Sequence, residues 1–229
     1  MSSLEVNVNL LNTLNTNWQA LSDTEKDTTL LFFYEQLTHP ICDIFDKDAS
    51  FVDWITSHFY IPETVFKLGK TELKGPLWLS PYQVKALNEA TIKDANGDYK
   101  YSLIVWSDIK KSIKSTIAAA VALRMAFLKD WASIKVVANK REQAQSRSYY
   151  YLTRALKLNP QTKKMLDDGE IQISRYTVKF NFNQSHIQAL PLNPEGEAGG
   201  NDDLIIWTEA WGAIQSRCHY EYRNGYSPW

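Results

Sequence analysis

The sequence predicts an α/β fold, a β-sheet with helices packed against its faces. Three observations lead there. From residue 101 onward, short apolar runs alternate with amphipathic helical stretches, a strand–helix–strand–helix rhythm. The 229 residues are 44% hydrophobic and 22% charged, the mix of an ordinary globular domain, with 9 Phe, 8 Trp and 12 Tyr to fill a core. The longest strongly apolar run, 117–123, is followed at once by Arg124, far short of the ~20 residues a membrane span needs. A disordered, collagen-like or membrane-spanning chain is thereby excluded.

Residues 1–22 are polar and Asn-rich and read as a weakly held helix or tail. Ser22-Asp23-Thr24-Glu25 has capping-box spacing and opens a helix through Leu37, stopped before Pro40. A short helix over 50–59 ends before Pro62, and 69–76 shows no periodicity and is read as irregular. Ser80-Pro81-Tyr82-Gln83 offers an N-cap and a proline at the first helical position, starting a helix to about residue 90. Residues 94–98 form a turn cluster, and 101–106 (Tyr-Ser-Leu-Ile-Val-Trp) read as a buried strand. A helix follows over 114–129, with Ile117, Val121, Met125 and Leu128 on one face. After a strand at 134–138, Asn139 and Glu142 cap a long helix to 158, closed by Asn159-Pro160. Further strands fit 170–173, 176–180 and 187–190; a Gly-containing loop over 195–201 leads to the last strand, 204–207. The chain thus divides into a helical N-terminal region (1–75) and an α/β domain (76–229), without internal repeats.

The net charge of −1 conceals a split. Residues 105–165 hold thirteen basic side chains against three acidic ones, leaving that segment at +10 and the remainder at −11. Such a block suits a polyanionic partner, either nucleotide phosphates or a nucleic-acid backbone, or else a solvated basic face opposed by acidic loops. Two cysteines, Cys42 and Cys218, are too few for a disulfide framework and fit a reducing compartment. The N-terminus lacks a signal peptide's basic start and apolar stretch, so a soluble intracellular protein is expected. His39, Cys42, Cys218 and His219 lack matched ligand spacing, so no zinc site is expected, and no nucleophile motif surrounds His58 or His186. Tyr149-Tyr150-Tyr151 read as part core and part surface, with base stacking as the alternative, and Trp207 and Trp211 as core packing.

Trp106-Ser-Asp-Ile-Lys-Lys-Ser-Ile-Lys-Ser115 sits between the predicted strand and the amphipathic helix. A strand, a loop ending in Lys-[Ser/Thr] and a helix form the layout of a phosphate-binding P-loop. Backbone N–H groups and the helix N-terminus present partial positive charge; Lys114 reaches the terminal phosphates and the Ser115 hydroxyl binds Mg²⁺. Without the usual glycines, the same residues also describe a helix start with a basic first turn. Two other elements stand in the right order: Gln83 upstream, with an amide suited to an adenine edge, and Thr208-Glu209 at the tip of the last strand.

Together these stretches resemble the ATPase domain of the terminase large subunit of tailed phages. The carriers are Phe59-Tyr-Ile-Pro-Glu-Thr64, Leu79-Ser-Pro-Tyr-Gln83, the loop from Val105 to Ser115, Val137-Ala-Asn-Lys-Arg-Glu-Gln-Ala144 and Trp207-Thr-Glu-Ala-Trp211. The resemblance covers about three quarters of the chain, from residue 51 to the end. It implies a three-layer P-loop NTPase of the additional-strand, catalytic-glutamate type, with a mostly parallel sheet. Its implied activity is ATP hydrolysis that drives double-stranded DNA into a preformed capsid in the host cytoplasm. The implied cofactors are ATP and Mg²⁺; the implied partners are DNA, a portal, a small terminase subunit and a homo-oligomeric ring, with no membrane. Lys114 resembles the Walker A lysine and Ser115 its Mg²⁺ ligand, flanked by Ser112, Ile113 and Thr116. Lys110 or Lys111 takes the place of an extra basic residue in the loop. Gln83 resembles the adenine-recognising glutamine, and Glu209 the catalytic glutamate that orients water.

Three departures set expectations. Ile113 replaces the glycine before the Walker lysine; if that position needs φ > 0, the strain is on the order of 1–3 kcal/mol, and ATP binding is weakened. Thr208 replaces the Walker B aspartate, so Mg²⁺-bound water is held less strongly and hydrolysis is impaired. Asp202 and Asp203 sit at the other end of the strand, about 17 Å off at ~3.3 Å per residue. The sequence ends at Trp229 without an acidic triad for two-metal cleavage, so no nuclease activity and an exposed sheet edge are expected.

Overall fold

The structure, a computed structural model, describes residues 22, 40–68, 71–109, 112–138, 144–191 and 201–208. The chain divides into two compact units, residues 1–39 with 65–73 and residues 40–64 with 74–229. The helix expected over 22–37 lies outside the described residues.

Helix α1 (Phe51–His58) opens at Ser50, whose side chain accepts from the Asp53 amide at 3.0 Å while its hydroxyl donates to the Asp53 carboxylate at 2.8 Å. It buries Phe51, Trp54 and Ile55. Strands β1 (Tyr60–Leu68) and β2 (Thr71–Pro76) pair as a two-stranded sheet, so the N-terminal region expected to be helical also holds strands, one of them over the stretch read as irregular. Pro62 hid the first strand: a proline reads as a breaker but is tolerated on an edge strand, where its missing N–H breaks no ladder. Helix α2 (Pro81–Ala90) begins where its sequence dictates, with Gln83 reaching back to the Ser80 amide behind Pro81.

Helix α3 (Lys114–Leu128) leads into strand β3 (Ser133–Ala138). A π-helical turn (Gln145–Tyr149) runs into α4 (Tyr150–Leu158). Asn159 then ends α4 and starts α5 (Pro160–Asp167), accepting from the Gln161 amide at 2.8 Å. The Asn-Pro pair closes one helix and opens the next, and the second function went unread in the sequence. Strands β4 (Ile171–Ile173), β5 (Thr177–Phe180), β6 (Ser185–Pro191) and β7 (Leu204–Trp207) complete a five-stranded sheet in the order β4-β5-β6-β3-β7.

Pairing of β3 with β6 and with β7 is parallel, whereas β4–β5 and β5–β6 are antiparallel. The sheet is therefore mixed rather than mostly parallel. The four residues 181–184 joining β5 to β6 are too few for a crossover helix, which forces an antiparallel hairpin. Strand β3 lies between β6 and β7 with Ile134, Val136, Val137 and Ala138 buried, Ile134 opposite both Ile187 and Leu204. Helix α3 packs against β3, β6 and β7 and buries Ala119, Ala120, Ala122 and Ala126, small side chains permitting close approach. Trp54, Phe127 and Phe180 pack in sequence, tilted and then edge to face, with centroids 5.7 and 5.3 Å apart, and burial of each such ring contributes about 1.5–3 kcal/mol. Arg124 is also buried: its guanidinium lies 4.0 Å over the Phe51 ring and donates to the Ala49 carbonyl, tethering α3 to the segment before α1.

Residues 101–106 form no strand. Leu103 and Val105 are 79% and 82% exposed, and Trp106 alone leans on the core. An apolar run becomes a strand only where a neighbour takes up its amides and carbonyls, and none of the described strands does so here. Strand β7 is likewise an edge among the described residues, and it shows Ile205 and Trp207 (58% and 49% exposed) on one face; Trp207 is not the core residue expected. No described helix is long and apolar enough to cross a membrane.

Candidate functional site

The loop before α3 is closed on itself. Ile113, the residue preceding the first helical turn, has φ +56° and ψ 20°, the left-handed region, and no side chain caps the helix there. That conformation brings Cβ against the following carbonyl and costs an L-residue roughly 1–2 kcal/mol, most for a β-branched one. The condition attached to this position in the sequence is therefore met. Directly after it, Lys114 folds back over the loop. Its ammonium donates to the carbonyls of Asp108 at 2.7 Å and Ile109 at 2.6 Å and to the Ser112 hydroxyl at 3.1 Å. The Ser112 hydroxyl itself donates to the Ile109 carbonyl at 2.9 Å.

Helix α2 holds the loop from outside. The Tyr82 hydroxyl donates to Asp108 Oδ2 at 2.7 Å, which keeps that carboxyl below its usual range and raises the phenol. Asp108 Oδ1 accepts from the Ile109 amide at 2.8 Å. Gln83 is buried; Nε2 donates to the Ser112 carbonyl at 3.2 Å and Oε1 accepts from the Ser80 amide at 2.9 Å. One side chain thus caps α2 and fastens the loop, with both ends of its amide engaged. Tyr82 and Asp108 were not singled out from the sequence. Their contact spans 26 residues, and nothing in the local spacing signals it.

Of the residues marked in the sequence, Gln83, Ser112, Ile113 and Lys114 converge on one loop. Ser115 is half-buried in the first turn of α3, and Thr116 is buried in the core. Thr208 follows β7 at the C-terminal end of the parallel pair; its amide and hydroxyl both donate to the Val137 carbonyl, at 2.9 and 3.2 Å. Asp202 and Asp203 lie at the opposite end as the strand length requires, Asp202 in a 3.0 Å ion pair with Lys135 and Asp203 bonded to Lys129 and to the Ser133 amide. Lys110, Lys111 and Glu209 lie outside the described residues. Among the described residues no cluster of three or more His, Cys, Asp or Glu side chains assembles. The hydroxyls of Ser115 and Thr208 are hard oxygen atoms, of the kind that suits Mg²⁺ better than a softer metal, and that of Thr208 is already bonded to Val137.

A second titratable group, Cys42 with His58, is chemically quiet. The thiol sulfur is 3.8 Å from His58 Nε2, which also lies 2.9 Å from the Cys42 carbonyl. Burial raises the thiol pKa and lowers that of the imidazole, so both are held neutral, the reverse of an activated thiolate–imidazolium pair.

The fold has a solved counterpart. The chain is similar in structure to the large terminase of bacteriophage HK97, with a TM-score of 0.53 and 16% identity over 72% of this chain and 34% of that one. This chain thus spans about a third of that terminase, and at this identity the likeness is one of fold. No protein-family model and no curated protein matches the sequence.

Proposed function

We propose that the chain is the ATPase part of a viral DNA-packaging motor, coupling ATP hydrolysis to movement of double-stranded DNA into a capsid. One observation carries the reading: a β-branched residue held at φ +56° beside a lysine whose ammonium lies inside the loop. Strain of this size survives only where the surroundings enforce it, and it gathers at ligand clamps. The likeness in fold to a phage large terminase supports the same reading.

On this reading the free amides at the start of α3 receive phosphate oxygens, and Lys114 exchanges its loop carbonyls for the terminal phosphates. Ser115 and Thr208 hold Mg²⁺, which supplies neutralisation of charge on the phosphates. Glu209 positions the attacking water, Lys110 and Lys111 add positive charge, and Gln83 reads the adenine once its bond to Ser112 is exchanged. Partners on this reading are DNA, a portal and a small terminase subunit, with a homo-oligomeric ring assembled in the host cytoplasm.

Phosphate release from Mg²⁺-ATP, measured beside a Lys114→Ala variant, tests the proposal. Release by the wild type that the variant abolishes is expected; equal release from both would refute it. A second reading, nucleotide or partner binding without turnover, is favoured by the Thr208 hydroxyl being bonded to Val137 and by residues 101–106 standing outside the sheet. It predicts nucleotide binding that Lys114→Ala abolishes, with no release from either protein.

A further inference from the structure

The loop leaves most of the cationic block unexplained. Of the members whose side chains are described, Lys114 is in the loop, Arg124 is buried, and Lys129 and Lys135 are bonded to Asp203 and Asp202. Arg154, Lys157, Lys163 and Lys164 remain, all exposed on α4 and α5 and none in an ion pair among the described residues. Lys157, Lys163, Asp167 and Gln172 line one open groove between these helices and edge strand β4. One turn along α4 from Lys157, Arg154 lies 5.6 Å over the ring of Tyr150 and donates to its hydroxyl. The Tyr149 hydroxyl donates to the Ser174 carbonyl at 2.7 Å and pins the β4–β5 turn to the start of α4. That turn carries Arg175, stacked 5.0 Å over Tyr176.

We propose that this groove, together with Arg154 beside it on α4, binds the phosphate backbone of duplex DNA. The inference rests on reading DNA as the partner, but not on the loop gripping a nucleotide. Charge selects a polyanion. The stacked arginines select a backbone over unpaired bases, because each covers a tyrosine face that a base would otherwise take. The absence of large exposed aliphatic or tryptophan side chains on α4 and α5 argues against a lipid surface, which would need an apolar anchor. From Tyr150 to Lys157 the helix rises about 10 Å, close to three base-pair steps of ~3.4 Å.

Anisotropy of a labelled 30-base-pair duplex with the full chain, titrated between 50 and 200 mM salt, tests this. Arg154→Glu/Lys157→Glu is expected to weaken binding at least tenfold at the low-salt end. It is also expected to flatten the log–log salt slope by about 2, at ~0.9 per phosphate contact. Arg154→Gln/Lys157→Gln, the milder pair, loses less, and Lys85→Glu/Lys93→Glu, exposed cations elsewhere, leaves the slope unchanged. Thermal unfolding of each variant confirms folding. Unchanged affinity in both groove variants, an equal loss in the control pair, tighter binding of a single strand, or binding to anionic vesicles but not to duplex would overturn the proposal. The duplex titration is made without nucleotide, so a failure of the nucleotide reading is distinguishable from a failure of this one.

Discussion

The left-handed backbone at Ile113 makes a prediction whose sign is unusual. At an ordinary position flanking or inside a helix, alanine is more stable than glycine by about 0.5–1 kcal/mol, because glycine loses more chain entropy on folding. At φ +56° the order inverts. An alanine Cβ there pays ~1–2 kcal/mol of steric cost that glycine avoids, and subtracting the entropy term leaves glycine ahead by roughly 0.5–1 kcal/mol. Ile113→Gly and Ile113→Ala both remove the half-buried side chain beyond Cβ, so the packing loss cancels between them. At ~2–4 °C per kcal/mol for a chain of this size, Ile113→Gly should melt about 1–4 °C above Ile113→Ala. Paired thermal melts by circular dichroism read this difference, with urea midpoints as the second measure. An alanine variant as stable as the glycine variant, or more so, would show that the loop is not wound as described. Titration with nucleotide adds a functional arm: Ile113→Gly should bind more tightly than the wild type.

Two further outcomes follow from buried charge. Burial lowers the His58 pKa, with the Cys42 carbonyl opposing it, so the folded state takes up a proton at lower pH than the unfolded chain. Stability is then full above the unfolded value of ~6.5 and falls as pH drops below it, so urea midpoints at pH 7.5 and 5.5 should differ less for His58→Gln than for the wild type. The Lys135–Asp202 pair is shielded, its side chains 15% and 7% exposed, and Asp202 also accepts from the Ser133 hydroxyl at 2.8 Å. Asp202→Asn removes the carboxylate from this pair and should lower the urea midpoint, whereas an unchanged midpoint would mean that solvent already screens the pair.

Much of the sheet was legible because its strands carry their own punctuation. Strands 177–180 and 204–207 are short β-branched or aromatic runs bounded by turn residues, and β3 is a near-continuous apolar run of the kind buried between parallel neighbours. Helices α2 and α3 announced themselves by Ser80-Pro81 and by a long alanine-rich stretch. Residues 101–106 misled because composition reports that a segment is apolar, not that a neighbouring strand exists to pair with it. Strand direction was missed for another reason: the short link from Phe180 to Ser185 already requires a reversal, but the strand–helix rhythm upstream set the expectation of a mostly parallel sheet. In the loop, the lysine, the serine and the positive φ at Ile113 were open to sequence reasoning. The grip of Tyr82 and Gln83 on Asp108 and Ser112 was not, since it is made between elements 26 and 29 residues apart.

The posture of Lys114 has a consequence for any anion that arrives. An ammonium has three protons, and here each already has an oxygen to serve. A visiting phosphate must therefore trade places with the protein's own carbonyls, so only the difference between old and new bonds counts toward affinity. Once the lysine swings away, the stretch at Asp108 and Ile109 loses its clasp and keeps the bonds from Tyr82 and the Ser112 hydroxyl. Filling this loop and loosening it are the same event.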